Sequence, residues 1–194
     1  RNLRRNKMND KPYDIIIADP PWQYDGKTAL SKTAGEHYQV AYSTNFNNLP
    51  LKNIAAKDSL LFMWCSGCLM KQAIELMEAW GWTFKQVAFV WDKKRVNPGS
   101  YSMTACEFVI VGKRGKIPQP RGVRNTRQLL SELRGKHSVK PEQVMKSLCA
   151  MFPTQNKLEL FARRDCEGWD TTGNELDGKD VYEFCRQKEE KLNE

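Results

Sequence analysis

The sequence predicts an α/β fold with a mainly parallel sheet. Short apolar runs of strand length alternate with segments in which apolar residues recur at helical spacing, and Gly or Pro stands at the breaks. No apolar run approaches the ~20 residues of a membrane span. With 194 residues, 40% apolar and 28% charged, the chain is long enough for one domain with a proper core.

Residues 1–12 are basic, polar and without periodicity. They read as a flexible leader in which Met8 is a candidate natural start, ahead of a single domain over 13–194. The first strand is Ile15–Ala18, β-branched and flanked by polar residues, as a fully buried strand is. It ends at Asp19. Pro20 and Pro21 then remove two backbone donors, so the chain leaves the sheet as a stiff extended segment, and Trp22 follows. Residues 23–46 read as a long loop with the aromatics Tyr24, Tyr38 and Tyr42, in the manner of a lid or substrate loop.

A second strand is expected at Leu60–Trp64. Past Gly67, Met70, Ala73, Ile74 and Met77 keep helical spacing until Gly81 stops the helix. A third strand at Val87–Trp91 completes a β-α-β unit, and a fourth is expected at Glu107–Val111. Residues 92–104 and 112–137 read as two basic loops. Between Lys93 and Lys140 stand twelve Lys or Arg, against two acids, Glu107 and Glu132. Within a net charge of +8, this regional bias favours a polyanion-binding face to which Lys93, Lys94, Arg95, Arg121 and Arg124 belong.

A helix is expected from Pro141, placed at the first helical position, with Val144, Met145, Leu148 and Phe152 inward and Pro153 as its stop. Leu158–Ala162 reads as a strand and 164–178 as turns. A C-terminal helix over about 180–192 opens on Asp180 and Glu183 as a capping box. Four of the six cysteines sit inside apolar segments, so they read as core thiols of a reducing compartment. Cys65 and Cys68 have the spacing of a redox or metal pair, but no second pair accompanies them and the chain has two histidines. No metal site is expected.

Ligands of parallel sheets bind outside the carboxyl ends of the strands, where Asp19 and Arg163 stand. A carboxylate, an unpaired carbonyl and an indole face suit a flat ring bearing an amino group, which we read as adenine. Adenine's exocyclic amine is a poor nucleophile because its lone pair is delocalised into the ring. Hydrogen bonds to Asp19 and to the Pro20 carbonyl draw the nitrogen toward tetrahedral geometry. Attack on a methyl-sulfonium then needs mainly positioning and electrostatics. Trp22 would hold the ring by stacking, and in duplex DNA the base must first be flipped out.

The chain also resembles the adenine-N6 methyltransferase family typified by the catalytic subunit of the messenger-RNA adenosine methyltransferase, and within it the bacterial and phage DNA-modifying branch. The resemblance rests on Ala18-Asp19-Pro20-Pro21-Trp22, His37-Tyr38, Leu61-Phe62-Met63-Trp64, Glu107, His137 to Pro141, Leu158 to Arg164 and Gly168 to Glu175. It implies a Rossmann-like fold dependent on S-adenosylmethionine, with helices on both sheet faces and the catalytic motif preceding the cofactor half. That order accounts for the absence of a Gly-x-Gly fingerprint near the N-terminus.

Carried onto this sequence, the resemblance implies a catalytic set of Asp19, Pro20, Pro21 and Trp22. Asp19, Lys140, Arg163, Asn174 and Glu175 would contact the cofactor, and Trp22, Tyr24, Tyr38 and Glu107 the acceptor. Rival roles stay open: Lys140 as a helix cap, Arg163 in an ion pair with Asp165 or Glu159, and Glu107 as compensation for nearby cations. Tyr38 is followed by Gln39, Val40 and Ala41, where relatives commonly continue Pro-Thr-Met. The expectation is a cytoplasmic enzyme that methylates adenine in DNA in preference to RNA, as a homodimer or with a partner subunit. The alternatives are the same chemistry on RNA, or a catalytically silent nucleic-acid-binding subunit.

Overall fold

The structure, a computed structural model, describes residues 10–22, 43–99, 101–133, 139–178 and 180–194, with the side chains of 43–45, 175 and 177 left aside. The expectations for the leader before residue 10, for the loop 23–42 with Tyr24, His37 and Tyr38, and for His137 lie outside the described residues.

A seven-stranded sheet has the order β5-β3-β4-β2-β1-β6-β7. Strand β1 is Tyr13–Ala18, β2 Ala55–Cys65, β3 Thr83–Asn97, β4 Thr104–Arg114, β5 Leu129–Ser131, β6 Lys157–Leu160 and β7 Asp170–Thr172. The helices are α1 Leu51–Ile54, α2 Met70–Ala79, α3 Glu142–Met151, α4 Asn174–Asp177 and α5 Val181–Leu192. Strands β1, β2, β6 and β7 pair in parallel, as do β3 and β5. Strand β4 is antiparallel to both of its neighbours. This is the α/β, Rossmann-like architecture expected from the sequence.

Period-two alternation sorts the strand side chains onto two faces. Ile16, Ala18, Leu61 and Met63 meet α1, α2 and α5 in one core layer. Ile15, Ile17, Phe62 and Trp64 meet Val144 and Leu148 of α3, and Phe152 just beyond its end, in the other. Helices therefore cover both faces. Each fully buried Leu or Ile side chain contributes about 1.5–3 kcal/mol relative to exposure, enough to hold strand register.

Helix α2 ends as its sequence indicates. Gly81 has φ +101°, and the amides of Gly81 and Trp82 donate to the carbonyls of Glu78 and Met77, the two bonds of a Schellman stop. At α5 the Asp180 side chain accepts from the Tyr182 amide, while Glu183 accepts from Gln187.

Several elements differ from the sequence reading. Strands β2 and β3 are joined through α2 and run the same way, but β4 lies between them. The short connection after β3 folds β4 back as a hairpin, which periodicity alone does not reveal. Much of the two basic stretches is strand: β3 continues to Asn97, β4 to Arg114, and Leu129–Ser131 adds an edge. Pro141 is the cap before α3, with ψ 130°, rather than its first residue. Strand β6 stops at Leu160, and the next residue, Phe161, has φ +61°. Residues 164–178 hold β7 and α4 as well as turns, elements too short to carry a periodic signal.

Candidate active site

Asp19 follows β1 directly, and its amide donates to the Leu160 carbonyl of β6 at 3.4 Å. The neighbouring register pairs Ala18 with Met63 and Leu160, so the exits of β1, β2 and β6 stand side by side. Parallel pairing therefore brings Asp19, Trp64 and Arg163 to one edge.

Four charged side chains alternate in sign across that edge. Lys140 Nζ lies 3.3 Å from Asp19 Oδ1 and 2.8 Å from Glu107 Oε2. Lys93 Nζ lies 3.3 Å from Glu107 Oε1. Lys93 is almost fully buried, whereas the side chains of Asp19, Lys140 and Glu107 keep about a quarter of their surface or less. The Lys140 ammonium also stands 5.2 Å from the centroid of the Trp64 ring. Trp64 in turn meets Trp91 edge to face and accepts at its carbonyl, at 2.8 Å, from Trp22 Nε1. The Trp22 indole is thus oriented by the end of β2 while remaining partly open.

The electrostatics follow from this packing. Burial pushes the Asp19 carboxyl above its ordinary range, and the Lys140 ammonium opposes the shift. Burial works the same way on Glu107, but Lys140 and Lys93 outweigh it and hold that carboxyl below its usual range. For Lys140, burial favours the neutral form and the carboxylates of Asp19 and Glu107 overcome it, so its pKa is raised.

A cleft of about 600 Å³ opens beside Asp19, lined among others by Trp64, Lys140, Met145, Glu159, Arg163 and Cys166. Its polar walls carry both signs, with Arg163 and Arg164 on one segment and Glu159 on β6. Burial raises Glu159 to about 7, with Arg164 opposing. Arg164 also donates to Glu142 at 2.9 Å, which ties the β6 exit to the start of α3. Arg163 is exposed and lowers the Asp19 carboxyl.

Asn174 opens α4 two residues past β7, beside the β6 exit but outside the cleft lining. Gly173 makes this approach feasible, because a Cβ there would meet the backbone oxygen and nitrogen of Ala162. Glu175 is in α4, and its side chain lies outside the description.

The remaining basic candidates are spread out. Lys94 pairs with Asp92 at 3.2 Å, while Arg95 and Arg124 are exposed. Arg121 packs its guanidinium over Phe152, 4.6 Å from the ring centroid, just past the C-terminal end of α3, whereas Lys140 precedes its first turn. Glu107 takes the role left open for it, compensation of nearby cations, but Lys93 is buried against it instead of standing on the expected polyanion-binding face, and the place of Glu159 in the cleft carries no local signal. Lys93 falls in a stretch read as a basic loop and Glu107 opens an expected strand, so no local pattern joins them. The six cysteines are free thiols; Cys65 and Cys185 are buried as core residues, and burial pushes Cys65 up to about 12, whereas Cys68, just past the end of β2, is exposed and not part of the core.

A sequence profile of the MT-A70 family matches residues 13–175. The Type II methyltransferase M.MunI of a Mycoplasma species is 44% identical, over 86% of this chain and 78% of that protein. The N(6)-adenosine-methyltransferase MT-A70-like protein of Arabidopsis thaliana is 28% identical over 86% of this chain and 24% of its own length. The N(6)-adenosine-methyltransferase catalytic subunit METTL3 of Homo sapiens is 25% identical over 86% of this chain and 28% of its own length. The chain thus spans most of the first relative and about a quarter of the other two.

Proposed function

The chain belongs to the MT-A70 family of methyltransferases, and from that premise we propose that it transfers a methyl group from S-adenosylmethionine to the exocyclic N6 amine of adenine in DNA. The observation that carries the reading is the placement of Asp19-Pro20-Pro21-Trp22 at the carboxyl end of β1, on the rim of a cleft lined with charges of both signs.

Asp19 and the Pro20 carbonyl accept hydrogen bonds from the adenine amino group, which frees the nitrogen lone pair for attack. Trp22 supports the ring, and stacking of this kind is worth about 1–3 kcal/mol per base. Lys140 holds the Asp19 side chain in place and favours its anionic form, despite the burial that opposes ionisation. Glu107 and Lys93 brace Lys140 from the far side. No covalent enzyme intermediate is required: as the N6–methyl bond forms the sulfonium–methyl bond breaks, Asp19 stabilises the positive charge developing on the amine, and the surplus N6 proton then leaves to solvent.

The donor chemistry of the cleft fits the cofactor. Its amino-acid end needs a cation for the carboxylate, which Lys140 and Arg163 provide, and its positive groups suit Asp19 and Glu159. Asn174 and Glu175, on the same edge, have the amide and carboxylate chemistry for ribose hydroxyls. When bound, S-adenosylmethionine supplies the electrophilic methyl group.

DNA is preferred as acceptor because a Type II methyltransferase is 44% identical to the chain and matches over most of its length. The net charge of +8 and the exposed Arg95 and Arg124 support a nucleic-acid partner. No described helix is long and apolar enough to cross a membrane, and a cytoplasmic setting agrees with the reduced cysteines. The protein incubated with methyl-labelled cofactor and matched single-stranded DNA, duplex DNA and RNA should place N6-methyladenine in DNA. Label in RNA alone would move the acceptor to RNA, and label in none would remove the enzymatic reading.

A further inference from the structure

The β3–β4 hairpin reaches out from the site edge and ends in apolar side chains that cover nothing. Tyr101 is fully exposed, and Val96 and Met103 are 57% and 59% exposed. Resting hydration of three such groups on one short tip is unfavourable, and an apolar patch of this kind marks a contact surface.

The surroundings select the occupant. Lys94 and Arg95 are exposed cations on the β3 strand that leads to the tip, and the acid beside them, Asp92, is engaged by Lys94 and by Ser131 Oγ at 3.0 Å. An aromatic and aliphatic tip approached along β3 by the exposed Arg95 matches a stacked, polyanionic partner better than a protein face.

The aim of the hairpin is built in. Lys94 has φ +54°, a conformation that costs a non-glycine residue energy, and its amide is held by Asp92 Oδ1 at 3.0 Å. The kink directly follows Lys93, whose ammonium is anchored inward on Glu107. From the Trp91–Glu107 pair to the Asn97–Thr104 pair the hairpin advances three residues along β4, about 10 Å. The tip therefore stands off the acceptor rim by a distance of the order of a DNA groove width.

We propose that the hairpin tip is a wedge that enters duplex DNA beside the target adenine, with Tyr101 stacking in the base step vacated by the flipped nucleotide and Arg95 on the adjacent phosphates. The proposal rests on the DNA-adenine reading above and adds a duplex-opening device to it. Flipping has an unstacking cost in a duplex that an already single-stranded base lacks. Tyr101 should consequently matter for one form of DNA and not the other.

The test uses genomic DNA free of adenine methylation, native or heat-denatured, as acceptor for Tyr101→Ala and Tyr101→Trp. Tyr101→Ala should lose on the order of tenfold in methylation of native DNA, the scale of one aromatic–base stack, and stay within about twofold on denatured DNA. Tyr101→Trp should restore activity on native DNA. A second readout needs no turnover: saturating wild-type protein should raise the permanganate reactivity of thymines in the native DNA, which reports unstacking, and Tyr101→Ala should not. Equal losses on both templates, no loss on either, or unchanged permanganate reactivity in Tyr101→Ala would overturn the wedge. So would a shift from dimer to monomer in sedimentation, which would assign the tip to a second copy of the chain. If the wild type methylates neither template, the function reading fails, while the permanganate comparison still decides the wedge.

Discussion

Lys140 Nζ stands 3.3 Å from Asp19 Oδ1, joining the residue that follows the first strand to the residue that precedes α3. The pairing explains how a carboxylate whose burial favours protonation is kept ready to accept hydrogen bonds. It also makes the acceptor site depend on a lysine that is remote in sequence, and several expectations follow from that dependence.

Asp19→Asn removes the charge while keeping the side-chain shape, and Lys140 retains Glu107 as its partner. Methyl transfer should fall by about 10²–10³, the loss typical of one preorganised electrostatic contact, with the melting temperature nearly unchanged. Cofactor binding measured by calorimetry should change far less than turnover. Activity close to that of the wild type would remove Asp19 from the chemistry.

Lys93→Met keeps the aliphatic stem and deletes the ammonium that braces Glu107. Glu107 keeps Lys140 at 2.8 Å, so the variant loses one charge-assisted contact and not all of its compensation, and it should lose about 1.5 kcal/mol by chemical denaturation at neutral pH. Glu107 has a depressed folded pKa, so its stabilising contribution is present above the unfolded value and lost as pH falls through the folded value. Losing Lys93 raises that folded value, and acid unfolding should begin at higher pH than in the wild type.

Glu159→Gln tests a carboxyl raised to about 7 by burial. A raised acid binds more protons in the folded than in the unfolded state, so stability declines as pH climbs from the ordinary glutamate range to about 7 and stays reduced above it. The glutamine variant should therefore melt higher than the wild type at pH 8, and the gap should narrow as pH falls from 7 toward 5. A gap that is independent of pH would show that ionisation of Glu159 is not the cause.

Gly173→Ala places a methyl group against the Ala162 backbone, which cannot rotate aside as a side chain could. The cost should be about 1–3 kcal/mol, as for other overpacked sites. The β6 and β7 exits would also be forced apart, so cofactor affinity should fall along with the melting temperature. Full cofactor affinity in a destabilised variant would place Asn174 and Glu175 outside the cofactor site.

The local signals in the sequence were sufficient for the motif and for most of the frame. The run Ile15–Ala18 followed by two prolines defines a buried strand with an abrupt exit whatever surrounds it. The spacing of Met70, Ala73 and Met77 and the stop at Gly81 likewise act within a few residues. Elements of three or four residues, such as β7 and α4, were illegible because they hold too few side chains for a period to appear.

Pairing was decided only in three dimensions. Whether β3 adjoins β2 or is separated from it by β4 depends on how the hairpin folds back, which no local pattern encodes. The same holds for the ladder from Lys93 through Glu107 and Lys140 to Asp19, whose members come from β3, β4, the approach to α3 and the exit of β1. By itself the sequence determined which groups were available and that Asp19 would end a buried strand. Tertiary structure decided which charges face one another, because attraction between buried ions falls with distance and distance is set by strand order.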